Sequence, residues 1–74
     1  MLVNVKLFAT LREGRFATEE TELQENSRVM DVIKKYDLPL DEVAICLVNG
    51  RDADNDKVLK NGDTLSIFPP VGGG

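Results

Sequence analysis

The chain ends on Phe68-Pro69-Pro70-Val71-Gly72-Gly73-Gly74, a diproline followed by glycines that stop at a carboxylate. Proline holds φ near −65° and favours an extended path, and glycine, lacking a Cβ, passes through channels too narrow for other residues. From Pro69 to Gly74 an extended chain reaches at most about 20 Å, enough to carry the carboxylate of Gly74 into another protein's active site. In that geometry Gly72 and Gly73 permit entry, Pro69, Pro70 and Val71 aim the tail, and the rest of the chain is a handle. A bare carboxylate is a poor acyl donor. Attack of its oxygen on the α-phosphate of ATP gives an acyl-adenylate, from which a sulfur or amine nucleophile displaces AMP. The sequence holds no G-x-x-x-x-G-K-[ST] loop and its glycine run precedes no helix, so activation falls to a partner enzyme. The plain alternative is an inert tail, since termini fray and glycine loses the most entropy on ordering.

Composition narrows what the handle can be. Seventy-four residues make one small domain, 1–68 with a tail over 69–74 expected to be extended and flexible. A domain of this size buries only about 60% of the surface its unfolded chain exposes, so it is expected to be marginally stable. A single cysteine, Cys46, excludes an internal disulfide, and the absence of histidine removes Cys/His zinc sites and imidazole triads. The chain is therefore expected not to be an enzyme and to bind no metal or cofactor itself, ATP being used by the activating partner. Thirteen acids against nine bases give a net charge of −4, which opposes binding to phosphate backbones and anionic lipid. Neither nucleic acid nor membrane is expected as a partner; a protein is, with basic surfaces favoured by the net charge. No apolar run approaches 18 residues, the N-terminus starts on strand-like sequence, and a lone free cysteine suits a reducing cytoplasm.

The elements that would position the tail follow from periodicity. Residues 3–8 alternate, with Val3, Val5 and Leu7 on one face and Asn4, Lys6 and Phe8 on the other, as in a half-buried strand. Residues 18–24 are polar and threonine-rich and read as an exposed second strand. Val29, Val32, Ile33 and Tyr36 fall on one helical face, predicting a helix over roughly 28–37 capped by Asn26 or Ser27 and stopped before Pro39. The continuous apolar run 43–48 predicts a central strand covered on both faces. Asn49-Gly50 and Asn61-Gly62-Asp63 are turns, and 64–68 alternates again before Pro69-Pro70 breaks the ladder. This order fits an α+β fold, a mixed sheet packed on one main helix, the β-grasp or ubiquitin-like arrangement.

The residues Val5-Lys6-Leu7-Phe8-Ala9-Thr10-Leu11-Arg12-Glu13, Leu47-Val48-Asn49-Gly50 and the stretch from Leu59 through Phe68-Pro69-Pro70-Val71 to the terminal glycines resemble the MoaD/ThiS sulfur-carrier family over nearly the whole length. The Phe-Pro-Pro-Val ending is most similar to its molybdopterin synthase small-subunit branch. The stretch between Glu13 and the second strand is short for that family, and Gly72 stands where another small or polar residue is common. The resemblance implies that Gly74 is adenylated by an E1-like enzyme and converted to a thiocarboxylate with sulfur from a persulfide donor. It implies sulfur delivery to a pterin precursor inside the synthase large subunit, which would hold the catalytic groups. The same resemblance extends to thiamin-type carriers, to carriers serving tungsten-pterin synthesis and to ubiquitin-like modifiers joined to lysines.

Other residues carry weaker signals. Cys46 lies within the apolar 43–48 run and reads as an inert core thiol before it reads as a sulfur relay. Asp52, Asp54 and Asp56 alternate like a metal loop, but the rest of the calcium-loop pattern is missing, with Lys57 after Asp56 where glycine is needed. Glu19, Glu20, Glu22 and Glu25 suit a soluble, unpaired sheet edge, or else a contact with a basic enzyme. Phe8, Leu11 and Phe68, with Val71, are expected to form a docking patch beside the tail.

Overall fold

The computed structural model describes residues 1–70, and every element below lies among them. Strand β1 (Leu2–Leu7) pairs antiparallel with β2 (Thr18–Glu22), and after the helix α1 (Val29–Lys35) come β3 (Ile45–Val48), the two-residue β4 (Arg51–Asp52) and β5 (Thr64–Phe68). The sheet order is β2-β1-β5-β3-β4, with β1 and β5 parallel and β3 antiparallel to both β5 and β4. This is the expected mixed sheet on one helix, the small β-grasp.

Alternation does what the sequence demands of it. Val3, Val5 and Leu7 of β1, Leu65 and Ile67 of β5, and Cys46 and Val48 of β3 all bury on the helix side against Val29, Val32 and Ile33. Leu11, Leu38 and Leu59 close that core from the connecting segments. The opposite face carries no helix.

Three expectations need correction. The central strand is β5, third of five, while the 43–48 run yields a shorter β3 one place from the edge. Only Cys46 and Val48 of β3 are buried; Ile45 is 45% exposed and Leu47 half-buried, because among the described residues no second layer packs on that face. The apolar run therefore marks a strand covered on one side, with apolar residues left over on the other. The second strand stops at Glu22, two residues short of the predicted end.

The helix is shorter than 28–37, and its ends are made differently. Neither Asn26 nor Ser27 caps it: Asn26 takes a positive φ of 67°, and Ser27 Oγ donates to the Gln24 carbonyl at 2.7 Å. Arg28 is the N-cap, and its backbone N–H donates to Asp31 Oδ2 at 2.7 Å, the acid-side half of a capping box. The Val29 and Met30 N–H groups donate to the carbonyls of Lys57 and Asn55, each at 3.0 Å. Those orphan donors are thus satisfied by backbone from a loop more than twenty residues away, which no local pattern announces. At the other end Leu38 N–H reaches the Ile33 carbonyl and Asp37 N–H that of Lys34. This is a Schellman closure with Asp37, at φ 52°, in the position glycine usually takes, and buried Leu38 seals it before Pro39 is reached.

The turns behave as read. Asn49 and Gly50, at φ 53° and 82°, join β3 to β4 in a two-residue hairpin, and Gly62, at φ 88°, lies in the turn closed by Asp63 N–H on the Lys60 carbonyl. No helix among the described residues is long and apolar enough to cross a membrane.

Candidate functional site

The tail leaves from the end of the central strand. Phe68 is the last residue of β5, its carbonyl accepts the Ala44 N–H at 2.9 Å, and Phe8 N–H donates to the Ile67 carbonyl at 3.2 Å. β5 is therefore held on both sides up to its final residue. Pro69 and Pro70 follow outside the ladder, so the chain departs from a fixed base. Val71, Gly72, Gly73 and Gly74 lie outside the described residues.

Beside that base the Phe8 and Phe68 rings stack, with centroids 4.2 Å apart and planes 13° from parallel. The Arg12 guanidinium carbon sits 5.6 Å from the Phe8 ring centroid, and Arg12 Nε donates to the Leu7 carbonyl at 2.9 Å. The pairing register extends this cluster into a band. Ile45 is opposite Phe68, giving a row Phe8, Phe68, Ile45. The next row on the same face is Thr18, Lys6, Ser66, Leu47 and Asp52. Three strands far apart in sequence thus place four apolar side chains together on the helix-free face, next to the tail.

Of the predicted docking residues, Phe8 and Phe68 are brought together, and both are half-buried with ring surface still available. Leu11 is not with them. It is 0% exposed, because the 3-10 turn Ala9–Arg12 folds it under the end of β1 into the core. A partner cannot touch it, so its place in the patch is withdrawn. Ile45, Leu47 and Arg12 are the residues that sequence reading missed. The usable signal was strand alternation: with Cys46 and Val48 inward, Ile45 and Leu47 have to point outward.

The remaining singled-out residues fall elsewhere. Cys46 is 5% exposed, and burial pushes its thiol pKa above the ordinary value, which suits a core position. Asp54 Oδ1 accepts the Asp56 N–H at 2.9 Å, and Asp56 lies 3.9 Å from Arg28, so two of the three aspartates organise the loop whose carbonyls cap α1. The Glu19–Glu22 segment belongs to edge strand β2, where Glu19 Oε2 accepts the Tyr36 hydroxyl at 2.7 Å. Burial, first, and then the Glu19 carboxylate raise the Tyr36 pKa. At the far end of β5 an open groove of about 500 Å³ is lined by Arg51, Lys57 and Lys60 but also by Asp52 and Asp63, so its charges largely offset.

A one-helix β-grasp that sends a glycine-ended tail off its central strand beside an apolar sheet face is the architecture of small carrier and modifier proteins. The chain belongs to the ThiS family, whose sequence profile matches residues 5–74, and is thereby placed among the MoaD/ThiS-type sulfur carriers with a ubiquitin-like fold. Its structure is similar to the protein described as molybdopterin converting factor subunit 1 from Pyrococcus furiosus, with 34% identity, a TM-score of 0.80, and 96% of this chain and 99% of that one covered. It is also similar to small archaeal modifier protein 1 of Haloferax volcanii, at 28% identity and a TM-score of 0.78, covering 95% and 98%. The fold recurs at 23% identity and a TM-score of 0.68 in the complex of subunits 1 and 2 of the molybdopterin-converting factor from Helicobacter pylori, with full coverage of both chains. No curated protein sequence matches the chain.

Proposed function

We propose that this protein is the sulfur-carrying small subunit of a molybdopterin synthase, with the Gly74 carboxylate as its working group. The observation that carries the reading is the family match running to Gly74, on a fold whose central strand β5 leads into the tail. The likeness to a molybdopterin converting factor subunit and the Phe68-Pro69-Pro70-Val71 ending favour the pterin branch. In this reading an E1-like enzyme lets Gly74 attack the α-phosphate of ATP and expel pyrophosphate. A persulfide sulfur then displaces AMP, and cleavage of the S–S bond by a thiol leaves the thiocarboxylate. Pro69, Pro70 and Val71 aim the tail and Gly72 and Gly73 admit it into the synthase large subunit, which takes the sulfur for the pterin dithiolene. Phe8 and Phe68 anchor the partner at the tail's root. The chain supplies no catalytic side chain.

The test is the intact mass of the chain after incubation with ATP, an E1-like enzyme and a persulfide source. A gain equal to exchange of one oxygen for sulfur, localised to Gly74, supports the carrier reading; no ATP-dependent change removes it. The similarity to an archaeal modifier protein favours a second reading, conjugation of Gly74 to lysines. Accumulation of lysine adducts with no thiocarboxylate would select that reading.

A further inference from the structure

The groove at the start of β5 gathers three cations that have no counterion. Arg51, Lys57 and Lys60 are exposed, and none of their side chains makes a hydrogen bond or ion pair among the described residues. They border a space of about 500 Å³ whose apolar lining is Val48, Ala53 and Val58. By count, Asp52 and Asp63 nearly cancel them; by orientation they do not. Arg51 stands opposite Val48 and Asp52 opposite Leu47, and directly opposed residues share a face. Val48 is buried on the helix side, so Arg51 lies on that side with Ala53, while Asp52 points with Leu47 to the helix-free face. Asp63 does face this corner, but both of its carboxylate oxygens are taken, Oδ1 by Asn49 Nδ2 and Oδ2 by the Lys60 N–H, each at 2.8 Å. Three cations against one carboxylate, itself already bonded, leave a surplus of two positive charges in a chain of net −4. The walls that carry them are held in place. Arg51 sits in the β3–β4 hairpin, and the facing loop is pinned to α1 by the Asn55 and Lys57 carbonyls, by the Val58 bridge to Arg28 and by buried Leu59.

We infer that this groove is a binding site for a compact polyanion of the phosphate class, held between Arg51 on one wall and Lys57 and Lys60 on the other. A phosphate or diphosphate brings at least two negative charges and several acceptor oxygens, which matches the surplus; a single carboxylate meets only half of it. The volume falls in the usual range of small-molecule sites, about 300–1,000 Å³, and leaves room beside the anionic group for a body resting on Ala53 and Val58. The ligand is compact because Asp54 and Asp56 precede Lys57 on the same loop and repel a long acidic chain laid along it. The site lies at the start of β5 and the tail leaves from its end, about 13 Å away along the strand. The inference therefore goes beyond the carrier reading and does not depend on it.

The experiment titrates the full, isotope-labelled chain with inorganic pyrophosphate at constant ionic strength and follows the backbone amide resonances, with no enzyme present. The expected result is saturating shifts at the amides of Arg51, Ala53, Lys57, Val58 and Lys60, and none at Phe8 or Phe68. K57Q/K60Q should weaken binding about tenfold or more, and Arg51→Gln several-fold. K6Q/K34Q removes the same charge from exposed positions outside the groove and should weaken it less than about twofold. Neutral glutamine avoids placing a second carboxylate beside Asp63, and Arg51→Lys, which keeps the charge, should retain most of the affinity, so that loss of binding is separated from loss of fold. Equal weakening by K6Q/K34Q would reduce the effect to net charge, and shifts that fail to saturate or spread over all exposed amides would reduce it to a counterion atmosphere. Tighter binding of an Asp/Glu-rich peptide at the same amides would make the occupant a protein segment. Each of these results overturns the inference, and none bears on Gly74, whose activation is read separately by mass.

Discussion

The two ends of β5 are held by different physics. At its start, Asp63 accepts Asn49 Nδ2 and the Lys60 N–H, each at 2.8 Å, while Asn49 Oδ1 takes the Thr64 N–H at 2.9 Å and Asn49 N–H donates to the Thr64 carbonyl at 2.8 Å. Gly62 N–H and the Asn61 side chain bind the backbone of Leu2 in the same corner. At its end, two backbone hydrogen bonds and a ring stack suffice, and Phe8, Phe68, Ile45 and Leu47 remain partly exposed. A corner closed by directional bonds has used its carboxylate and its amides on itself. A corner closed by stacking keeps apolar area that only another surface can cover. The strand is thus fastened by directional bonds at one end and by stacking at the other, where apolar area stays partly exposed.

The sharpest way to break this contrast is to alter the tail alone. Deleting Gly74, or adding one residue after it, should abolish adenylate formation while the melting temperature stays within a degree or so, since nothing in the described core depends on it. A large stability loss would mean that the tail end is structural after all. Next in size is the turn end. Asn49→Ala forfeits both side-chain bonds and forces alanine to a φ of 53°, at an expected cost of about 2–3 kcal/mol, or roughly 10 °C or more in melting temperature. Asn49→Gly accepts that φ and should recover the backbone share of the loss. Both should support adenylation at the unsubstituted rate below their melting temperatures, and a selective loss of activity would erase the division of labour between the ends.

Phe8→Ala tests the tail end from the other side. Removing half of the stack should cost about 1 kcal/mol of stability, but raise the KM for the activating enzyme about tenfold. A larger effect on melting than on KM would make the stack a core element. The smallest effect concerns pH at a third place, the Tyr36–Glu19 link between α1 and the β2 edge. The folded state raises the Tyr36 pKa, so it favours the protonated phenol. The associated stability is complete below the ordinary value of 10.0 and is lost as pH rises past the raised one. Denaturant midpoints should therefore fall above pH 10 in the unsubstituted protein, and less so in Tyr36→Phe.

Much of this was legible before any coordinates. Strand alternation, the two Asn-Gly turns, the Val29/Val32/Ile33 helical face and the diproline exit are local signals, each fixed by the geometry of a few neighbouring residues. Leu11 was misread because its burial depends on a 3-10 turn tucking under β1, and Ile45 and Leu47 were missed because an apolar run hides which residues face outward when the number of covering layers is unknown. The helix start was misassigned for a similar reason, since its donors are satisfied by the carbonyls of Asn55 and Lys57.

By itself the sequence determined which chemistries the chain's own side chains lack: it has no histidine, no G-x-x-x-x-G-K-[ST] loop, and a single cysteine that cannot form an internal disulfide. It also determined the class of fold, through periods of 2 and 3.6 that each segment carries alone. Only the tertiary structure decided which strand is central and which apolar residues are left uncovered. Those properties come from the parallel pairing of β1 with β5, a contact between residues some sixty positions apart, and a pairing of that range leaves no trace in local spacing.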